Sequence, residues 1–296
     1  MNLESYLEHR RELIDRTLDF LLPSVGSLQK TVVESMRYSL LAPGKRVRPI
    51  LCLAGAEAVC GHYEPFVHFS CAIEMIHAYS LIHDDLPAMD DDDFRRGLPT
   101  NHKRFGEAAA ILAGDGLLTE AFDLMTRLSL HPGLQADRLL EATNLVADAA
   151  GFRGMVGGQM VDMEAQGKEP VLDVVEYMHG HKTAALMGAA VGSGAVLAGG
   201  TKSQIQSLYE YGRHLGMAFQ IRDDLLDVLG NSQDLGKPVG SDKTKRKATF
   251  PAVMGVQPSV EREQRMVDEA LRALAAMDER SDPLRALALH LLQRTK

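Results

Sequence analysis

Two aspartate clusters carry the chemistry this chain can offer: Asp84-Asp85-Leu86-Pro87-Ala88-Met89-Asp90, continuing through Asp91, Asp92 and Asp93, and Asp223-Asp224-Leu225-Leu226-Asp227. Each closes a long apolar run. Their approaches also match, Ile82-His83-Asp84-Asp85-Leu86 beside Ile221-Arg222-Asp223-Asp224-Leu225, which predicts two related, facing helices. Pro87 disfavours helical backbone at Leu86, so the helix arriving from about Ser70 should end beside Asp84 and Asp85; Gly230 closes the second run. Both clusters then fall at the negative end of a helix dipole, where each added anion is unfavourable by roughly 0.3–1 kcal/mol. A cation reverses that penalty. Carboxylate oxygens without nearby imidazole or thiolate suit a hard ion, Mg²⁺ first. One such cluster alone is as well explained by a solvated acidic loop; two in the same local context point to metal.

Cations gather at complementary places. Lys45, Arg46 and Arg48 precede Pro49, a first-turn residue for the apolar run Ile50 to Cys60 that Gly61 stops. Three cations at the positive end of a helix dipole are poorly placed for stability and well placed to hold a diphosphate, though a basic surface turn would look the same. The spacing is not that of a P-loop, so no nucleotide is implied. Arg95 and Arg96 follow the acidic run, and Lys182 and Thr183 open a stretch of small residues. His77 lies two turns before Asp84 on nearly the same helix face, as a core histidine or as a ligand contact. Tyr79 sits five residues before Asp84, where the tail of a substrate held at the aspartates would meet its ring.

The elements that must position these groups read as helical throughout. Composition is 45% hydrophobic but only 5% aromatic with no Trp, and Leu, Ala and Met recur at helical spacing, which favours an all-α protein. Helices are predicted over about 1–22, ended by Pro23, then 27–41, 50–60, 70–85, 107–128, 136–150 and 203–229. Two or three amphipathic helices follow Pro251. Gly188, Gly192 and Gly194 suit close packing of helices, the run being too short and weakly apolar to span a membrane. No linker divides the 296 residues, so a single domain over 1–296 is expected.

Net charge is −8, which disfavours nonspecific nucleic-acid binding. The N-terminus lacks a signal-peptide pattern, and a cytoplasmic protein without membrane insertion is expected. Cys52, Cys60 and Cys71 show no paired metal spacing and read as small hydrophobes in a reducing compartment. With His62 and His68 they match no common zinc pattern. Gly236 to Lys247 is a basic loop, either solvated or able to close over phosphate.

Two carboxylate clusters among scattered cations suit a large phosphorylated anion. No Ser-His-Asp or Cys-His arrangement is evident, so the parts fit metal-assisted departure of a diphosphate without a covalent enzyme intermediate. The apolar helix beneath predicts a hydrocarbon at the substrate's other end.

Together, Asp84-Asp85 with Asp90, Asp223-Asp224 with Asp227, Gly44 to Pro49, Gly157-Gly158-Gln159 with Asp162, Lys182-Thr183 and Phe219-Gln220 resemble the trans-isoprenyl diphosphate synthases, most nearly the bacterial farnesyl diphosphate synthases. The resemblance spans roughly residues 35–255. It implies an all-α, isoprenoid synthase-type bundle of ten or more helices around a central cavity, usually a homodimer. It implies that Asp84, Asp85, Asp90 and Asp223, supported by Asp224 and Asp227, bind an allylic diphosphate, dimethylallyl or geranyl, through three Mg²⁺, with Mn²⁺ able to substitute. Lys45, Arg48, His77 and Arg96 correspond to the isopentenyl diphosphate site. Arg95, Lys182, Lys237 and Lys247 correspond to cations on the allylic diphosphate, with Thr183 and Gln220 nearby and Lys182 also counted as catalytic. The gap between Asp85 and Asp90, with Tyr79 and the small Ser80, is similar to the short-chain arrangement and implies a C15 product. Arg246 and Phe250 depart from the family's usual Gly and Tyr, which bears on how Lys247 makes its contact.

Three rivals predict different chemistry. A class I terpene cyclase pairs one aspartate motif with an Asn/Ser/Glu motif. A metal phosphohydrolase, suggested by His83-Asp84, needs further His ligands. A non-catalytic partner subunit would tolerate loss of motif aspartates, all of which are present here.

Overall fold

The computed structural model describes residues 2–22, 28–169, 171–229 and 248–293. These form an all-α bundle: α1 (Leu3–Leu21), α2 (Lys30–Leu40), α3 (Val47–Cys60), α4 (Val67–Asp84), α5 (Asn101–Phe105), α6 (Glu107–Thr126), α7 (Ala136–Ala150), α8 (Met155–Ala165), α9 (Leu172–His179), α10 (Ala185–Leu197), α11 (Lys202–Leu229), α12 (Phe250–Met254), α13 (Val256–Ala273) and α14 (Asp282–Leu292). A π-helical turn, Gly180–Ala184, joins α9 to α10. No described helix is long and apolar enough to cross a membrane.

Every residue of α10 is buried, which places this helix at the centre. Its small residues let neighbouring backbones approach. A Cβ at Gly194 would lie 2.0 Å from the Cys52 carbonyl of α3, and one at Gly55 of α3 would lie 2.3 Å from the Val191 carbonyl. The small-residue stretch is thus a packing surface between helices. One core draws on helices from α1 (Ile14) to α14 (Leu291), and a smaller cluster of Val175, Ile221, Leu225, Ala248 and Phe250 lies beneath the second aspartate motif.

Two boundaries that bear on the site differ from the sequence expectation. Helix α3 begins at Val47 rather than Ile50, with Arg46 as a left-handed N-cap (φ 49°), so the basic residues belong to the helix start itself. Helix α4 begins at Val67 rather than near Ser70 and ends at Asp84, as Pro87 requires. The acidic run leads into a short antiparallel hairpin, β1 (Phe94–Arg95) and β2 (Leu98–Pro99). Its central residues Arg96 and Gly97 both have positive φ, 54° and 79°, the turn type that matches strand twist.

Polar contacts fasten this hairpin. Tyr38 Oη donates to the Pro99 carbonyl at 2.7 Å, and Thr100 Oγ1 to the Asp92 carbonyl at 2.7 Å. Asn101 donates to the Ser35 carbonyl and Ser39 Oγ and accepts from Ser35 Oγ. Arg95 and Arg96 are thereby held in place beside α2 and α4.

Candidate active site

The C-terminal ends of α4 and α11 open on a cavity of about 960 Å³. Asp84, Asp90 and Asp223 line it, with Lys45, Arg48, His77, Tyr79, Ser80, Arg95, Arg96, Lys182, Thr183 and Gln220. Asp85, Asp224 and Asp227 are not among its lining. Gly230 and the basic loop, including Lys237, Arg246 and Lys247, lie outside the described residues.

The spacing of the first motif follows from backbone closure. After Asp84 the chain turns at Pro87, and the Asp90 N–H donates to the Asp84 carbonyl at 2.9 Å. The intervening residues form a loop that returns Asp90 to the end of α4. Neighbouring residues on a helix project about 100° apart, so two adjacent aspartates need not meet the cavity alike. Asp84 faces in. Asp85 is buried and accepts a forked pair of bonds from Arg95, Nε at 2.8 Å and Nη2 at 2.7 Å to Oδ1. The second motif divides similarly: Asp223 faces the cavity, whereas buried Asp224 accepts the Phe250 N–H at 3.0 Å and the Gln220 amide at 3.4 Å. Phe250, fully buried, stacks on His179 with centroids 5.4 Å apart, and His179 Nε2 approaches Asp224 to 3.2 Å.

Burial, with Asp90 and Asp85 as like charges, pushes the Asp84 carboxyl up to about 6, against the pull of Lys182 and Arg95. A carboxylate in this state favours a cation. Among the described residues no three acidic, His or Cys groups converge on one point. The oxygen donors Asp84, Asp90 and Asp223 fit Mg²⁺, which takes one or two carboxylates and fills its remaining positions with water and substrate phosphate. Asp84, Asp90 and Asp223 are the residues that would hold such ions.

The basic side is equally divided. Arg46 turns inward, donating from Nε to Asp15 at 2.7 Å, from Nη1 to Glu74 at 2.9 Å and from Nη2 to the Ala42 carbonyl at 2.9 Å. It is 4% exposed and braces the loop, which leaves Lys45 and Arg48 as the candidates for anion contact in the basic triplet. Arg48 Nε is buried without a hydrogen-bond partner, and burial pushes its guanidinium below the ordinary range. His77 is driven well below its usual value by burial and then by Arg48, Arg96 and Arg95, so it is neutral near pH 7. Arg96 Nη1 donates to the Pro43 carbonyl at 3.0 Å, closing the basic loop.

Lys182 extends from the π-helical turn into the cavity, where Nζ meets Asp162 Oδ2 at 2.6 Å. Thr183 Oγ1 donates to Gln220 Oε1 at 3.0 Å, tying that turn to α11. Gln159 has both amide atoms buried without partners in the cavity wall, and Met155, Met160, Met163 and Met187 supply apolar lining. Sequence reasoning missed Glu74, which neutralises Arg46, and Glu263, which receives Arg222 Nε at 2.7 Å beneath the second motif. Neither carries a motif; both become visible only as charges on otherwise apolar helix faces.

A Polyprenyl synthetase family model matches residues 29–286. The chain is 43% identical to the farnesyl diphosphate synthase of Bacillus subtilis (strain 168), covering 95% of each chain. It is 42% identical to the geranylgeranyl diphosphate synthase of Cyanophora paradoxa, over 99% of this chain and 97% of that one. Its structure superposes on that of an FPP/GFPP synthase from Zymomonas mobilis with a TM-score of 0.86 at 36% identity, over 98% and 99% of the two chains. With the paired aspartate motifs at the mouth of a helical cavity, these matches establish that the chain belongs to the polyprenyl synthetase family of prenyltransferases.

Proposed function

We propose that the enzyme joins isopentenyl diphosphate head to tail (1′-4) with dimethylallyl and then geranyl diphosphate, releasing diphosphate and giving (2E,6E)-farnesyl diphosphate. The observation that carries this reading is one cavity with two kinds of anion-binding group at its mouth and an aromatic ring below. The carboxylates Asp84, Asp90 and Asp223 line it together with Lys182, Arg95, Lys45, Arg48, His77 and Arg96. Tyr79, 7% exposed, lies roughly 7–8 Å further along α4 from Asp84.

In this account Asp84, Asp90 and Asp223 are the residues that would hold Mg²⁺, three ions or Mn²⁺ in their place, for the allylic diphosphate. When bound, the ions neutralise charge on the departing oxygens. Arg95 and Lys182 hold the same group, and Asp85 serves by fixing Arg95. Asp224 serves by anchoring α12 against α11, and Asp227 would support the metal site. The allylic C1–O bond breaks with both electrons leaving on diphosphate. The Thr183 and Gln220 dipoles face the cation that remains. Lys45, Arg48, His77 and Arg96 hold isopentenyl diphosphate so that its double bond attacks C1, and the released diphosphate takes the proton that restores the alkene. Water exclusion by the methionine wall protects the cation.

A C20 product is the second reading, because relatives of similar identity bear both farnesyl and geranylgeranyl names. Exposed Ile111 and Leu112 on α6, 43% and 58% accessible, support a homodimer through that face. Chromatography of dephosphorylated products after supplying geranyl and isopentenyl diphosphates tests the chain length. Farnesol supports the proposal; geranylgeraniol as the main product replaces it with the second reading.

A further inference from the structure

We infer that Gly114 of α6 sets the depth of the hydrocarbon end of the cavity, acting through His83 on Tyr79. The inference rests on the prenyl-transfer reading and adds to it a specificity-positioning residue on a second helix.

The side chain of His83, in the last turn of α4, reaches across to α6. Its Nε2 lies 3.1 Å from the Ile111 carbonyl, which fixes the tautomer with hydrogen on Nε2, and 4.0 Å from an Asp115 oxygen. The ring occupies a notch that exists only because residue 114 has no side chain. A Cβ there would lie 2.1 Å from Nε2, 2.5 Å from Cδ2 and 2.8 Å from Cε1. Gly114 is not among the positive-φ glycines, so its backbone is open to any residue. Glycine inside a helix is destabilising by roughly 0.5–1 kcal/mol relative to Ala. The imidazole is what requires it.

On its other side the ring meets Tyr79, one helical turn earlier, edge to face with centroids 5.7 Å apart and planes at 78°. Both rings line the cavity. His83 is therefore a wedge whose position is set by α6 and which in turn sets the Tyr79 ring. The three nearest atoms that a methyl group at residue 114 would meet all belong to the His83 side chain, which is 28% exposed. Filling the notch displaces the imidazole while the helices keep their packing. The ring then moves away from α6, toward Tyr79 and the cavity, and the space for the growing chain shortens.

The test is product-length analysis of the full chain with geranyl and isopentenyl diphosphates and Mg²⁺. Gly114→Ala raises the ratio of shorter to longer products by about tenfold or more, the scale on which a pocket discriminates small apolar differences. His83→Ala in the Gly114→Ala background abolishes that shift, because the wedge is gone. His83→Ala alone moves the ratio the opposite way, and a product ratio remains readable when turnover is slow or when Gly114→Ala folds poorly. A folded Gly114→Ala enzyme with an unchanged ratio overturns the inference, as does a shift that persists in the double variant. Chain growth in the wild type with neither shift defeats this inference alone. No chain growth in the wild type defeats the prenyl-transfer reading and the inference with it.

Discussion

The Asp85 carboxylate lies in the fork of the Arg95 guanidinium, with Nε within 2.8–2.9 Å of both oxygens and Nη2 2.7 Å from one. Its neighbour Asp84 faces the cavity. An adjacent pair of identical residues thus divides into one side chain that lines the cavity and one held by the scaffold. The same division separates Asp223 from Asp224, whose oxygen accepts the Phe250 N–H.

This division predicts opposite signatures for neighbouring substitutions. Asp84→Asn and Asp223→Asn should lower kcat by about 10²–10³, the usual cost of removing one group that stabilises developing charge, without lowering the melting temperature. Asp224→Ala strands a buried N–H, which costs about 1–3 kcal/mol of stability. Paired kinetics and thermal melts separate the two classes.

The raised Asp84 carboxyl, at about 6, sets a pH dependence. Because this value lies above the unfolded one near 3.8, the group's contribution to stability is full below that lower value and is lost as pH rises through about 6. Divalent ions compete with the proton. The Mg²⁺ concentration giving half-maximal activity should rise as pH falls through about 6, and thermal stabilisation by Mg²⁺ should shrink over the same interval. Titrations of activity and melting temperature at several pH values measure both.

Arg46 and Arg48, two residues apart, should fail differently. Arg46→Met leaves Glu74, 3% exposed, as a buried charge without its partner, a loss of about 3–5 kcal/mol. Arg48→Met relieves a buried guanidinium nitrogen that has no partner, so stability holds or rises while KM for isopentenyl diphosphate increases. Denaturant midpoints and initial rates distinguish them.

Tyr79 is the ring expected to limit the chain. Tyr79→Ala opens the cavity below the aspartates and should shift products beyond C15. An unchanged profile counts against this ring as the floor.

Much of this was legible in the sequence, because the helices obey local rules. Pro87 ends α4 and Gly61 caps α3 in the left-handed conformation. The small residues of α10 announced close packing. The orientations of individual side chains were not legible. Arg46 looks like Lys45 and Arg48 in the sequence, yet a left-handed N-cap turns it toward Asp15 and Glu74. Glu74 and Glu263 carry no local signal, since their partners lie 28 and 41 residues away. The π-helical turn that presents Lys182 likewise arises from tertiary packing, with Gly158 of α8 close against the Lys182 backbone.

The central claim is metal-dependent joining of two diphosphates in one cavity. It is tested most directly by incubating the purified chain with isopentenyl diphosphate and geranyl diphosphate, with Mg²⁺ or with EDTA, and identifying the dephosphorylated products by chromatography. The account predicts a longer linear prenyl alcohol, farnesol first, formed only with Mg²⁺ and lost in Asp84→Asn. Formation of cyclic hydrocarbon or free phosphate without chain growth, or growth indifferent to EDTA, would contradict it.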